Sequence, residues 1–445
     1  MFTSETEITE ENLISVLSKA SAENYVNEDE IAYLYRVYRG KQKIYDKIKE
    51  IRPEINHKIC ENRANEIVTF KVGYVFGEPI QYIRRGDENK DLSVLNDQMY
   101  MSDKASADIE LAEWAHICGI GFRIILPKTS DDEYPLNIYT LDPRRTFIVK
   151  SSAIGNEPLM AVTWTKIKGG AKVYSIYTKD RYYEVKNKKI TENRPHSLGE
   201  IPIIEYPLNN ARLGAFEIVL PLLDAINEVQ SNRLDDLVQY VNSFLAIMGG
   251  DLNDELVKQI NEWKMMALPE GVDAKYLSAS MTQSDVQTLA DSLYQNVLTI
   301  CGMPNRNGGS STSDTGSAVI LRDGWETAEA QAKSIEKMFK RSEMRFLKIA
   351  VNILNTQLGL NIRLSGIDIK FARRYTDNIL TKVQALGQLL DIGIAPDIAI
   401  ATVGIWNDPN DVAEQSQMGL EKYRDVPNIG QEAEAAEERN LETVQ

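Results

Sequence analysis

The stretch IPIIEYPLNNARLGAFEIVLPLLDAINEVQSNRLDDLVQYVNSFLAIMGG, residues 201–250, decides how the rest of the chain is read. It opens as a strand. Ile201, Ile203 and Glu205 project to one side and Pro202 and Ile204 to the other. Pro202 and Pro207 lack a backbone N–H and so confine the strand to a sheet edge or a bulge. The spacing then predicts a helix over 217–248. Ile218, Leu222, Ala225, Val229, Leu237, Val241, Leu245 and Met248 form an apolar stripe, and Asp224, Glu228, Asn232, Arg233, Asp235, Asp236 and Gln239 fill the other face. Pro221 sits early, where a missing N–H costs least, and Gly249 and Gly250 end the helix. At 1.5 Å per residue it is about 45 Å long, more than a small domain needs, which by itself reads as a core helix of a large helical domain.

The chain has 445 residues, 43% hydrophobic and 26% charged, enough for several globular domains with a sizeable core. No apolar run reaches the roughly 18 residues of a membrane span, and the acidic start MFTSETEITEEN lacks the basic and apolar regions of a signal peptide. Cys60, Cys118 and Cys301 form no CxxC, which points to a reducing compartment rather than a disulfide framework. The net charge is −15. A protein that grips duplex DNA presents clustered Lys and Arg, so this one either avoids nucleic acid or handles it without holding it.

Upstream of the deciding stretch, residues 1–30 read as a short amphipathic helix (Ile8, Leu13, Val16, Leu17) followed by an exposed arm. Residues 31–58 are basic and tyrosine-rich. That composition fits single-strand nucleic-acid binding, but the helical spacing of Ile31, Leu34, Tyr35 and Tyr38, closed by Gly40, favours a helix-loop-helix surface. A helix is expected over 55–72 and a strand over 73–86 bent at Gly77–Pro79. His57 and Cys60 lie three apart on the expected helix, with no second pair to complete a metal site, so their role is read as structural. A helix over 103–118, with Asp103 as N-cap, precedes alternating strands GFRIILP, LNIYTLDPRRTFIVK, LMAVTWTKI and KVYSIYTKDRYYEVKN. Helices 31–118 and strands 121–206 therefore make one α+β domain.

Downstream, residues 251–284 read as a short helix and two short strands around Pro269–Gly271. A helix from Asp285 carries Val286, Leu289, Leu293, Val297 and Ile300, and ends at Gly302. NRNGGSSTSDTG (305–316) is a linker by composition; a phosphate loop would need GxxxxGK[ST], which is absent. A very long helix follows, its stripe running Trp325, Ala328, Ala332, Ile335, Phe339, Ser342, Phe346, Ile349, Ile353, with a kink expected at Gly324. Residues 362–375 read as a strand hairpin returning to the first domain, and 377–424 as helices broken at 393–396 and 407–409. The acidic tail 425–445 reads as disordered.

No catalytic set stands up. There is no GxSxG, HExxH or Walker A, no acid cluster with partners, and too few His (three) for metal or acid–base work. We therefore expect no enzyme activity, no cofactor and no metal. Long helices without a catalytic set point to assembly.

The segments KICENRANEIVTFKVGYVFGEPIQY (58–82), GIGFRIIL (119–126), LDPRRTFIV (141–149), IPIIEYPLNN (201–210) and LPLLDAINEVQSNRLDDL (220–237) carry a resemblance. In that order, followed by helix, small excursion, helix, flexible loop and long helix, the chain resembles the portal proteins of tailed bacteriophages, the group typified by the portal of a Bacillus siphovirus, over roughly residues 30–425. The serine-rich 304–317 region departs from the family's pattern. The resemblance implies a mainly α, α+β fold with an α+β wing, a long-helix stem, a small α/β clip and a helical crown. In these terms 1–30 is an N-terminal arm and 31–216 the wing, with strands at 362–376 returning to it. Residues 217–249 and 285–303 are the stem helices, 250–284 the clip, 304–317 the tunnel loop, 318–361 the wing's long helix, 377–424 the crown and 425–445 a tail. It further implies a ring of about twelve subunits at one capsid vertex of a virion assembled in the bacterial cytoplasm. Double-stranded DNA would be packaged through the channel by the terminase large subunit and later ejected. A head-completion adaptor, the scaffold and the major capsid protein would be further partners, and no membrane.

Within that resemblance, Asn305, Arg306, Asn307, Ser310, Ser311 and Thr312 are expected to touch DNA from the tunnel loop. Asp224, Glu228, Asp235, Asp236, Asp285 and Asp291 are the candidates for an acidic channel wall that repels phosphates and lets DNA slide. Asp254, Glu255, Lys258, Glu262, Lys264, Glu270 and Lys275 are the clip residues expected to meet terminase and adaptor. Two other classes compete: a non-viral helical scaffold or adaptor, which would be monomeric or dimeric, and a nuclease, which would need clustered acids for metal.

Overall fold

The computed structural model describes residues 1–85, 92–128, 134–241, 244–248, 273–277, 283–305, 324–372, 379–406 and 409–416. Short strand β1 (Phe2–Thr3) leads into α1 (Leu13–Tyr38), a single 26-residue helix where a short helix, an arm and a second helix were expected. Its continuity follows from two separate cores. Leu13, Val16, Leu17 and Ala20 pack on Phe147, Val149, Met160 and Val162. Ile31, Leu34 and Val37 pack into the main core. The exposed middle, with Tyr25 and Val26, bridges the two.

Helix α2 (Arg63–Phe76) and strand β2 (Gln81–Arg84) correct both expected boundaries: 55–62 is not helical, and 73–76 is helix rather than strand. α3 (Ser93–Met101) and α4 (Lys104–Cys118) follow, with Asp103 at the N-cap position but without a side-chain cap bond. Gly119 ends α4 at φ +79, and a Cβ there would run into the Arg212 carbonyl, so the chain at 212 closes directly over the helix end.

The strands divide into two main sheets rather than one meander. β3 (Ile120–Pro127), β4 (Leu136–Leu141) and β10 (Ile203–Pro207) form the order β10-β3-β4, and β10 occupies the edge that its flanking prolines demand. β5 (Thr146–Ser151), β6 (Pro158–Lys166), β7 (Lys172–Tyr177), β8 (Arg181–Lys186) and β9 (Lys189–Pro195) form, with β1, the order β1-β5-β6-β7-β8-β9. The expected single strands 136–150 and 172–187 are each split. Between β4 and β5, Arg144 grips Asp142 through Nε and Nη2 (2.7 Å at the shorter) and the chain changes sheets. Alternation does the rest: Phe147 and Val149 face α1, while Ile148 joins Phe122, Ile124 and Ile203 between the sheets. β9 went unforeseen because its hairpin turn is Asn187–Lys188, both at positive φ and without a glycine to announce them.

Helix α5 (Leu220–Val241) leads to strand β11 (Phe244–Met248), which pairs antiparallel with β12 (Asp273–Leu277). The expected helix to 248 thus ends early, and Leu245 and Met248 belong to a strand. α6 (Gln283–Cys301) returns beside α5, and α7 (Trp325–Leu358) is the long helix, with Gly324 and Gly359 at its caps rather than at a kink. Its expected stripe is buried from Ala328 to Ile353 except for the half-buried Ile335. Of the expected hairpin over 362–375, the described residues form one strand, β13 (Ile367–Lys370), which pairs with β2 in a two-stranded sheet, and 373–375 lie outside the described residues. Helices α8 (Ile379–Asp391), α9 (Pro396–Val403) and α10 (Pro409–Gln415) follow, broken where Gly393, Pro396 and Pro409 predict.

A charged cluster sits in the core where α4, β3 and α7 meet. Lys104 and Asp108 on α4, Arg123 on β3 and Glu343 on α7 are all within a few percent of full burial. Lys104 Nζ lies 2.7 Å from Asp108 and 2.9 Å from Glu343, Arg123 reaches both carboxylates, and the Tyr82 and Tyr206 hydroxyls donate to Glu343 at 2.6 and 2.7 Å. Two cations and two anions balance, which is what makes burial tolerable.

Candidate functional site

Most candidate residues lie on the paired helices α5 and α6. Arg233 Nη1 donates to Gln287 Oε1 at 2.7 Å near one end, and Ile226 and Leu298 line one cavity near the other, so the helices run antiparallel. That is the arrangement of two legs joined by the β11–β12 pair.

The buried face of α5 is not the one its apolar stripe predicts. Val219, Leu223, Ile226, Asn227, Ser231 and Asp235 are buried, whereas Ile218 is 56% and Leu237 45% exposed. The cause is residues 56–62, which follow the turn at 52–55 and lie along the helix in extended form. The backbone N–H groups of His57, Ile59 and Glu61 donate to Asp235 Oδ1 (2.8 Å), Ser231 Oγ (2.9 Å) and Asn227 Oδ1 (2.8 Å). Four helical residues rise about 6 Å and two extended residues span about 6.6 Å, so side chains four apart match alternate amides. These amides are then unavailable to a helix, which explains why α2 begins only after Asn62, whose Oδ1 accepts from Asn65 N.

Asp235 is the anchor of this strap. Lys47 and Lys49 Nζ each lie 3.2 Å away and His57 Nδ1 2.8 Å. Burial alone would raise its carboxyl; the bonds from His57 and the two lysines hold it far below the ordinary aspartate value. A buried, fully engaged carboxylate does not line a channel, so Asp235 leaves the set of lumen acids. His57, paired in sequence with Cys60, serves Asp235 instead, and Cys60 Sγ donates to the Gly40 carbonyl.

Of the other acids, Asp224 is half-buried with its carboxyl raised by burial and partly offset by Lys43. Glu228 and Asp236 on α5, and Asp285 and Asp291 on α6, are exposed; Asp285 lies in the first turn of α6 rather than capping it. Asn305 donates to Gln295 Oε1 at 2.9 Å on α6. Arg306, Asn307, Ser310, Ser311 and Thr312 lie outside the described residues, as do Asp254, Glu255, Lys258, Glu262, Lys264 and Glu270. Lys275 lies in β12 opposite Ala246.

A cavity of about 370 Å³ sits between the two legs and the start of α2. Arg63 crosses it, 2.8 Å from both Glu61 and Glu66 and 4.1 Å over the Tyr294 ring, while the Tyr294 hydroxyl donates to Glu66. Nothing in the sequence spacing announces it, because Glu61 and Tyr294 come together only through the strap. Among the described residues no group of three or more His, Cys, Asp or Glu could hold a metal, and no helix is long and apolar enough to cross a membrane.

The family model for phage portal proteins of the SPP1 Gp6-like type matches residues 19–427. The chain belongs to the phage portal protein family. This portal chain is also similar in structure to a chain in the neck of an empty gene transfer agent particle computed with C6 symmetry, at 12% identity and TM-score 0.44, over 80% of this chain and 88% of that one. A chain in the virion of a native gene transfer agent particle gives 12% and 0.44, over 87% and 92%. No curated protein matches the sequence. Portal proteins are structural rather than enzymatic, and the α+β, mainly α architecture expected of the family is the one observed.

Proposed function

We propose that this chain is the subunit of a phage portal, a ring of about twelve copies at one capsid vertex and the platform joining head to tail. Double-stranded DNA passes through its centre, driven in by the terminase large subunit during packaging and released at ejection. The observation that carries the reading is the family match across residues 19–427, with α5, β11, β12 and α6 in the connectivity of a stem closed by a clip. Residues 250–284 are the terminase and adaptor platform, 304–317 the tunnel loop, and the scaffold and major capsid protein surround the wing in the virion. Glu228, Asp236, Asp285 and Asp291 are the remaining exposed stem acids; facing the channel, they would repel phosphates and keep the DNA from being bound by counterion release.

Deletion of 306–316 tests the translocation role. Rings of the deletion variant should form as in the wild type but fail to yield DNA-filled heads in a packaging reaction with terminase and procapsids. Full packaging by that variant contradicts the role given to the loop.

A further inference from the structure

A second cavity, about 270 Å³, lies where α2, α6 and α7 meet residues 208–218. Its mouth is apolar: Ile218 and Ile300 are 56% and 47% exposed on its rim. Inside is Lys71. It stands one turn beyond Ile67 on the buried face of α2 and is itself nine-tenths buried. Its ammonium donates to Gln331 Oε1 at 2.7 Å, and no carboxylate reaches it among the described residues. Gly302, at φ +59, gives Gln331 its place, since a Cβ there would occupy the amide's position. Among the described residues the titratable groups around the ammonium supply no negative charge at neutral pH. Burial pushes the Cys301 thiol up to about 11 and His116 down to about 4, so both are neutral.

A buried ammonium ordinarily has an anionic partner, because leaving it without one is costly. This one instead opens onto a cavity the size of one or two side chains. We infer that the cavity receives a carboxylate side chain from the adjoining copy in the ring, with Lys71 as its counter-ion and Ile218 and Ile300 as the apolar collar. The inference rests on the portal reading. A ring closes through heterologous contacts, which need a receptor on one face and its complement on another face of the same chain. The chain carries 65 acidic against 50 basic residues, so carboxylates are the group it has in excess. An apolar rim around one desolvated charge is also the composition of an interface hot spot.

Lys71→Met keeps the aliphatic stem and removes the charge. Native mass measurement over a dilution series should show its rings dissociating at a subunit concentration tenfold or more above the wild type's. The dissociated variant subunit should melt no lower than the wild-type subunit, having lost a buried cation that no carboxylate reaches among the described residues. A lysine that only holds Gln331 gives the opposite pair of results, a less stable subunit and an unchanged ring, and overturns the inference. So does a free-anion site, revealed if acetate stabilises the dissociated wild type but not Lys71→Met while both rings dissociate alike. A wild type that forms no ring at any protein or salt concentration, alone or with its scaffold, overturns the portal reading and this inference with it, whereas a wild-type ring indifferent to the substitution overturns the inference alone.

Discussion

Glu343 accepts from two tyrosine hydroxyls and meets Lys104 and Arg123 where α7, α4, β2, β3 and β10 converge. Removing one member of such a set leaves a buried charge without its partner, so Glu343→Ala should destabilise the fold by about 3–5 kcal/mol in chemical denaturation. Burial alone would raise the Glu343 carboxyl; Lys104, Arg123 and the hydroxyls bring it below its ordinary 4.5. Its stabilisation is therefore full above 4.5 and is lost as pH falls through the lower folded value. His116 acts earlier. Burial depresses it from 6.5 to about 4, so the stability it contributes is full above 6.5 and declines as pH falls toward 4. Melting temperature should thus begin to drop below pH 6.5, and His116→Gln should flatten that part of the profile. None of this was legible in the sequence: Glu343 adjoins Ser342 of the predicted stripe, and periodicity does not tell a buried acid from an exposed one. Lys71 did leave a trace, as a lone cation between Ile67, Val68, Val72 and Val75.

Among the elements, those that form by their own periodicity were readable and those decided by a partner were not. The α7 stripe and the breaks in 379–415 follow from spacing, glycine and proline alone. The strap 56–62 takes its form from Asn227, Ser231 and Asp235, more than 160 residues away in sequence, which no local window contains. Likewise 244–248 has helical spacing yet pairs with 273–277. The strap yields a test of its own. In Asp235→Ala, amide exchange at His57, Ile59 and Glu61 should rise well above the wild type while the α7 amides stay protected, and stability should fall by about 1–3 kcal/mol. Uniform loss of protection would mean that Asp235 supports the whole fold rather than the strap.

At the scale of the molecule, helix α5, the small β11–β12 pair, helix α6 and the long helix α7 follow one another in the chain, and the family match spans residues 19–427. What a single sequence does not carry is the neighbour. Ile218 just before α5, Leu237 on α5, Leu289 and Ile300 on α6, and the mouth of the cavity that holds Lys71 are exposed apolar surface on or beside these two helices. Exposed apolar surface of this kind marks contact sites, and the proposed ring would cover it. The central claim is that this chain closes on copies of itself around a channel. Native mass measurement of the purified full-length protein, joined to negative-stain images, tests it most directly. The account predicts closed rings of about a dozen subunits with an open centre; a species that stays monomeric or dimeric at every protein and salt concentration, alone and with its scaffold, would contradict it.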